Sequence, residues 1–285
     1  LANIRLIRRR IRGVQSTAKI TKAMEMIAAS KMRKSQERGL AGRPYTEKIT
    51  QVISALASNP QDRAQHPLLK ERPVKNVALV HITPDRGLSG GLVSNLNRKS
   101  AAFIIEQGLP VSVIAVGRKG LDFMRRVGQN LTAEFINLGD KPGLLETLPI
   151  SRVIIDDYCA GKVDAVYICY ARFVNTMVQT PTIVKILPVT PVRLKEGEQT
   201  PNYIFEPTAA SVLEALLPRF VEMGVYHAIL EAIASEQSSR MIAMRNATEN
   251  ANELIQDLTL VYNKARQESI TTELLDIIGG AAALT

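Results

Sequence analysis

Residues able to do chemistry are few in this chain and widely separated. The stretch Asp85-Arg86-Gly87-Leu88-Ser89-Gly90-Gly91 follows a β-rich run and opens a helical one. That is where α/β folds bind phosphates, through helix N–H groups with no partner of their own. It matches neither GxGxxG nor GxxxxGKS/T, and the next β run ends in Val116-Gly117-Arg118 with no acid to hold a ribose. Asp85, Arg86 and Gly87 therefore read as a glycine-dependent turn at a protein contact, with a nucleotide-using enzyme as an alternative. His66, His81 and His227 lie in three different segments without a second ligand at metal spacing, so no metal is expected. Asp156 and Asp157 are adjacent and diverge on a helix, unlike paired acid–base carboxylates. Cys159 and Cys169 read as small buried hydrophobes. No Ser, His and Asp set is suggested by spacing. The chemistry that stands out is charge. Arg5, Arg8, Arg9, Arg10 and Arg12 could neutralise phosphates, although no aromatic residue interleaves them to stack bases.

The elements that carry these residues fall into three parts. Residues 1–58 are rich in strong helix formers and hold 13 Lys and Arg against 3 acids. They predict one long helix, bent at Gly42-Arg43-Pro44, with a coiled-coil seam at Ile4, Ile7, Ile11, Val14 and Ala18 that widens through Ile20, Met24 and Ile27. Residues 208–285 predict a second long helix, threatened only at Pro218. Its helical period runs through Val212 to Ile233 and resumes at Met241, Met244, Ala247, Ala251, Leu254, Leu258 and Val261. From residue 209 onward there are 5 basic residues against 10 acids, so the two ends are complementary in charge.

Between them, residues 74–206 predict a central α/β domain. Strands are expected at 76–83, 111–116, 132–138, 163–172 and 177–189, and helices at Leu92–Gln107, Lys119–Val127 and Leu148–Ala160. The alternation implies an open, Rossmann-like, mostly parallel sheet, with the fifth strand returning antiparallel after a short connection at Phe173–Thr176. The expected fold is α/β, with a long antiparallel coiled coil of the N- and C-terminal helices. Helices of about 55 and about 75 residues reach ~80 Å and ~110 Å, far beyond the ~14 Å radius of gyration of a domain the size of the middle segment. Apolar residues on their outer faces call for something to surround them.

The chain has 285 residues, a formal net charge of +9, 46% hydrophobic residues and two cysteines. Disorder, collagen and disulfide scaffolds are excluded. No stretch reaches the roughly 18 apolar residues of a spanning helix, and the N-terminus lacks the apolar core of a signal peptide. Reduced cytoplasm is the expected compartment.

Particular residues carry more than pattern. Ile20-Thr21-Lys22-Ala23-Met24-Glu25-Met26-Ile27-Ala28-Ala29-Ser30-Lys31-Met32 resembles the N-terminal signature of the γ subunits of F-type ATP synthases, and Ile270-Thr271-Thr272-Glu273-Leu274-Leu275-Asp276 with Gly280-Ala281 resembles their C-terminal one. Ser235-Glu236-Gln237, Arg240-Met241, Asn246-Ala247-Thr248, the run Leu260 to Gln267 and the DRGLSGG loop are similar in the same order, so the resemblance covers the whole chain.

That resemblance implies a central rotor shaft. The terminal helices would form an antiparallel coil inside a ring of three α and three β subunits, and the α/β domain would sit at the foot against ε and the membrane ring of c subunits. Ion flow would turn the c ring and this chain with it, and each β subunit would pass through states that bind, make and release ATP. The chain would contribute no catalytic group and carry no cofactor. Arg240, Gln267 and Thr271 would be catch residues facing β. Lys19, Lys22 and Met24 would face an acidic moving loop of β, so that a charge added at Met24 disturbs coupling. Tyr203, Phe205 and Glu206 would lie near the c ring and ε. No cysteine pair appears near Leu187–Asn202, where light-regulated members carry a redox switch. The absence of a transit peptide favours a bacterial protein, on the cytoplasmic face of the cell membrane and touching it only through the c ring. The chain starts at Leu1 without Met, so its natural N-terminus is processed or missing. The alternative reading is a basic coiled coil that binds nucleic acid.

Overall fold

The computed structural model describes residues 2–56, 66–190, 206 and 208–282. Among them are the long helix α1 (Ala2–Leu56), a 3-10 turn at Pro67–Leu69, and strand β1 (Val77–Ile82). Helix α2 (Leu92–Gln107), β2 (Val111–Val116), helix α3 (Arg118–Arg126) and β3 (Asn130–Phe135) follow. Helix α4 (Leu144–Cys159), β4 (Ala165–Phe173), β5 (Gln179–Leu187) and the second long helix α5 (Ala209–Ala282) complete the order. The chain divides into two compact units, Leu1–Ala28 with Arg240–Thr285, and Ala29–Ser239.

In the larger unit the sheet order is β3-β2-β1-β4-β5, with β1 to β4 parallel and β5 antiparallel to β4. Strands buried on both faces are continuous apolar runs, and β1 is buried at every position. The period of two sorts them. Ala78, Val80 and Ile82 of β1, with Ile114, Val166 and Ile168, face a core built with Ile150, Ile154 and Tyr158 of α4, Ile49 and Ile53 of α1, and Leu213, Leu217, Val221 and Ile229 of α5. Val77, Leu79, Val113, Cys169 and Ala171 face the opposite way, against Leu92 and Leu96 of α2 and Met124 of α3. Helix α2 is also pinned by polar contacts. The fully buried His81 ring places Nε2 2.9 Å from Asn97 Oδ1 and Nδ1 2.8 Å from Ser100 Oγ, and burial pushes its pKa down to about 4.

Both prolines that threatened the long helices lie inside them. Helix α1 runs through Pro44 and α5 through Pro218. An interior proline costs about 3 kcal/mol, and in each case buried residues hold the helix beyond it: Ile49, Ile53 and Leu56 in α1, and Val221 and Val225 in α5. Gly42 has a packing reason, because a Cβ there would stand 2.5 Å from His227 Cε1.

Three local expectations shift. Helix α4 begins at Leu144, with Pro149 inside it, because the carbonyl that loses its helical donor belongs to Leu145, which is 78% exposed. Strand β3 ends at Phe135 because Asn137 and Gly139 take positive φ (60° and 78°) and turn the chain away. Cys159 is exposed at the end of α4, and only Cys169 is buried.

Candidate functional site

The smaller unit is a pair of helical segments, and a seven-residue repeat decides which faces meet. On α1 the covered positions are Ile4, Ile7, Ile11, Val14, Ala18, Thr21, Glu25 and Ala28, an unbroken 3–4 alternation. On α5 they are Met241, Met244, Thr248, Ala251, Ile255, Leu258, Tyr262, Ala265 and Ser269. The seam therefore stays narrow where the sequence suggested widening. Ile20 and Ile27 are 60% and 54% exposed, while Thr21 and Glu25 lie inside. Likewise Leu254 and Val261 face outward, and Ile255 and Tyr262 take the covered positions.

The polar seam residues are paired. Thr21 Oγ1 and Thr248 Oγ1 stand 2.7 Å apart, with further bonds to the carbonyls of Ala18 and Met244. One turn on, the Glu25 carboxylate accepts from Lys22 Nζ at 3.0 Å and Arg245 Nε at 3.2 Å. The Lys22 bond, helped by Arg245, outweighs burial and holds the Glu25 carboxyl below its ordinary value. The contacts Thr21–Thr248 and Glu25–Arg245 make the pair antiparallel. The same register sets Ala2 opposite about residue 267, so α5 continues past the start of α1. Ile270, Leu274, Leu275, Ile277 and Ile278 of that extension are each more than half exposed.

The expected contact residues are spread along this pair. Lys19 and Lys22 are exposed, and Met24 is half-buried beside the seam. Gln267 and Thr271 are exposed toward the α5 extension, whereas Arg240 is 9% exposed. Arg5, Arg8, Arg9, Arg10 and Arg12 all lie on exposed positions of α1. Glu206 is exposed at a bend before α5, and Tyr203 and Phe205 lie outside the described residues.

In the larger unit, the Asp85 loop is built from inside. Asp85 Oδ1 accepts from the Arg118 N–H at 2.9 Å and Oδ2 from the Asn137 N–H at 3.0 Å, tying together the loops after β1, β2 and β3. Helix α3 is thus capped by an internal carboxylate from the β1–α2 loop. Its next N–H groups go to Pro84 O, Thr83 Oγ1 and Gly117 O. The crevice at this end of the sheet is lined by Thr83, Phe135 and Leu138, with Ile229, Ile233 and Glu236 of α5 across it, and has room for only ~50 Å³ of solvent. A nucleotide does not fit. Arg86 and Gly87 are exposed at the loop tip. The positive φ falls not on Gly87 but on Leu88 (65°) and Gly90 (55°). Among the described residues no group of three or more His, Cys, Asp or Glu side chains is placed to hold a metal. Among them, too, no helix is long and apolar enough to cross a membrane.

Known proteins share this arrangement of elements. A family profile described as ATP synthase matches residues 3–284. The chain is 67% identical over 285 residues, all of both chains, to a protein of Dehalococcoides mccartyi named ATP synthase gamma chain. It is 50% identical over 288 residues to the one of Roseiflexus castenholzii, covering 100% of this chain and 99% of that one. Among solved structures, it is similar to a chain in the central stalk and c-ring of Tetrahymena thermophila mitochondrial ATP synthase, with TM-score 0.63 and 25% identity over 80% of this chain and 99% of that one. A chain of the Euglena gracilis mitochondrial ATP synthase shares the fold at TM-score 0.68 and 21% identity, over 99% of this chain and 95% of that one. This chain belongs to the ATP synthase gamma chain family.

Proposed function

We propose that this protein is the central rotor shaft of an F-type ATP synthase, coupling ion-driven rotation of a membrane c ring to the cycling of catalytic β subunits. The observation that carries the reading is the antiparallel pair whose longer member runs on into an exposed apolar end. Such surface is unfavourable in water and suits an enclosing apolar sleeve, which holds a turning helix with few directional bonds to break. The seam supplies stiffness, since each side chain of the repeat sits among residues of the facing helix.

In this reading the chain is not itself catalytic. Its partners are the α, β and ε subunits and the c ring, and it works at the cytoplasmic face of a bacterial membrane that it touches only through that ring. Lys19, Lys22 and Met24 would pass the moving loop of β. Arg240, Gln267 and Thr271 would act as angle-dependent catches, because a polar bond made at one angle and broken at another biases the ring by its differential energy. Tyr203, Phe205 and Glu206 would meet ε and the c ring, and Arg86 and Gly87 would form a further protein contact. The nucleic-acid alternative finds no support among the relatives.

The test is reconstitution into sealed vesicles with the other subunits of one complex. ATP-driven ion uptake should require this chain. Uptake of the same size without it would reject the reading.

A further inference from the structure

Within the larger unit, one stretch of α5 spends its polar side chains in an unusual way. Ser235, Gln237 and Ser238 are 0%, 1% and 0% exposed, yet each bonds a different element, strand β4, the β3–α4 loop and the β4–β5 turn. Ser235 Oγ donates to the Ala171 carbonyl at 2.8 Å. The residue paired with Ala171 on β5 is Pro181, which has no N–H to give. Ser238 Oγ donates to the Thr176 carbonyl in the β4–β5 turn at 2.7 Å and accepts from Gln179 Nε2 at 3.3 Å. Ser239 Oγ donates to the Ser89 carbonyl in the β1–α2 loop at 2.7 Å. One turn earlier, the Glu231 carboxylate accepts from the Phe173 N–H at 3.1 Å.

Gln237 points elsewhere. At about 100° per residue it lies roughly opposite Ser235 on the helix, and its Nε2 reaches Asp140 Oδ1 at 3.4 Å. The other oxygen of Asp140 takes Lys31 Nζ of α1 at 2.6 Å, and Ser35 Oγ of α1 donates to the Leu230 carbonyl at 2.9 Å. Two sides of one helix are therefore tied to strand β4, to three loops and to α1.

An apolar contact between helix and sheet is non-directional and resists slippage weakly. Hydrogen bonds lose strength steeply with angle, so a helix bonded on opposite sides cannot turn about its own axis without breaking them. We infer that Glu231, Ser235, Gln237, Ser238 and Ser239, with Asp140 and Lys31, form a torque collar that locks the shaft helix to the α/β domain. These are positioning residues. The inference rests on the rotor reading, since a collar matters only if torque passes between domain and shaft.

The test uses the assembled complex with a probe on the α/β domain, recording its angular spread during catalytic pauses, ATP hydrolysis, and ions moved per ATP against a gradient. One variant combines Ser235→Ala, Gln237→Ala, Ser238→Ala and Ser239→Ala. A second set is Lys31→Asp, Asp140→Lys and the two together, on partly exposed side chains that carry little folding risk. The expected result for the quadruple variant is hydrolysis within about twofold of the parent, angular variance raised roughly twofold or more, and fewer ions per ATP. Each charge reversal should widen the angular spread, and the swapped pair should restore it. An unchanged spread in the quadruple variant would overturn the inference, as would a swapped pair that stays as loose as its single members. A parent complex whose probe does not turn at all would overturn the rotor reading and the collar with it.

Discussion

Thr21 and Thr248 face each other across the helix pair with their hydroxyl oxygens 2.7 Å apart, the one side chain 9% exposed and the other half-buried. A polar pair in a mostly apolar seam fixes alignment, because sliding either helix separates the two hydroxyls and leaves each without its partner. Replacing Thr21 alone by Val should cost about 1 kcal/mol, and replacing both by Val much less than twice that. A double-mutant cycle in denaturant unfolding reads the coupling, and additive costs would show that the pair does not interact.

Glu25 supplies a pH dependence in the same seam. Its folded pKa is held below 4.5 by Lys22 and then Arg245. The stabilisation is present above 4.5 and is lost as pH falls through the lower folded value. Protection of the amides along residues 18–28, taken relative to the intrinsic exchange rate at each pH, should therefore fall on acidification below 4.5, and Glu25→Gln should remove that dependence. An unchanged acid profile in the variant would assign the effect to other groups.

His81 acts on the sheet domain with the sign of a buried base. Its folded pKa is about 4 against 6.5 when unperturbed, so its contribution is complete above 6.5 and declines as the unfolded chain takes up a proton below that. The accumulated loss reaches about 3 kcal/mol by the folded pKa. His81→Phe should abolish this slope but leave Asn97 and Ser100 without their ring partner, costing about 1–3 kcal/mol at neutral pH. Urea unfolding at several pH values separates the two effects, and a slope that survives the substitution would contradict the assignment.

Gly117 and Gly108 both have positive φ, but their surroundings differ. A Cβ at Gly117 would stand 1.9 Å from the Thr83 carbonyl oxygen, whereas at Gly108 nothing lies within 4 Å. Gly108→Ala should cost about 1 kcal/mol from backbone strain alone. Gly117→Ala should cost several times as much, because backbone must move. Thermal unfolding of the two variants side by side checks the contrast, and equal shifts would refute it.

Much of this fold is legible in the residues, and the differences have a common cause. β-rich runs mark all five strands, β3 (Asn130–Phe135) least accurately, whereas β1 and β2 need little adjustment because strands buried on both faces carry few competing polar signals. The seam is legible as far as Ala18. Beyond it, apolar residues lead out to Ile20 and Ile27 while the repeat continues through Thr21 and Glu25. Those two are polar inside because Thr248, and Arg245 beside the local Lys22, meet them from more than 200 positions away. The Asp85 loop resembles a phosphate cradle for the same reason. Nothing local says that Asp85 itself caps Arg118 and Asn137. Ser235, Gln237 and Ser238 read as an interruption of the apolar period, and their partners lie in β4 and in loops that only the folded sheet brings together.

The most direct test of the central claim is single-molecule rotation. The chain is assembled with α and β subunits of one complex, the ring is fixed to a surface, and a probe is attached to the α/β domain. With ATP supplied, the account predicts stepwise turning in one direction. An assembled complex that hydrolyses ATP while the probe stays still would contradict it.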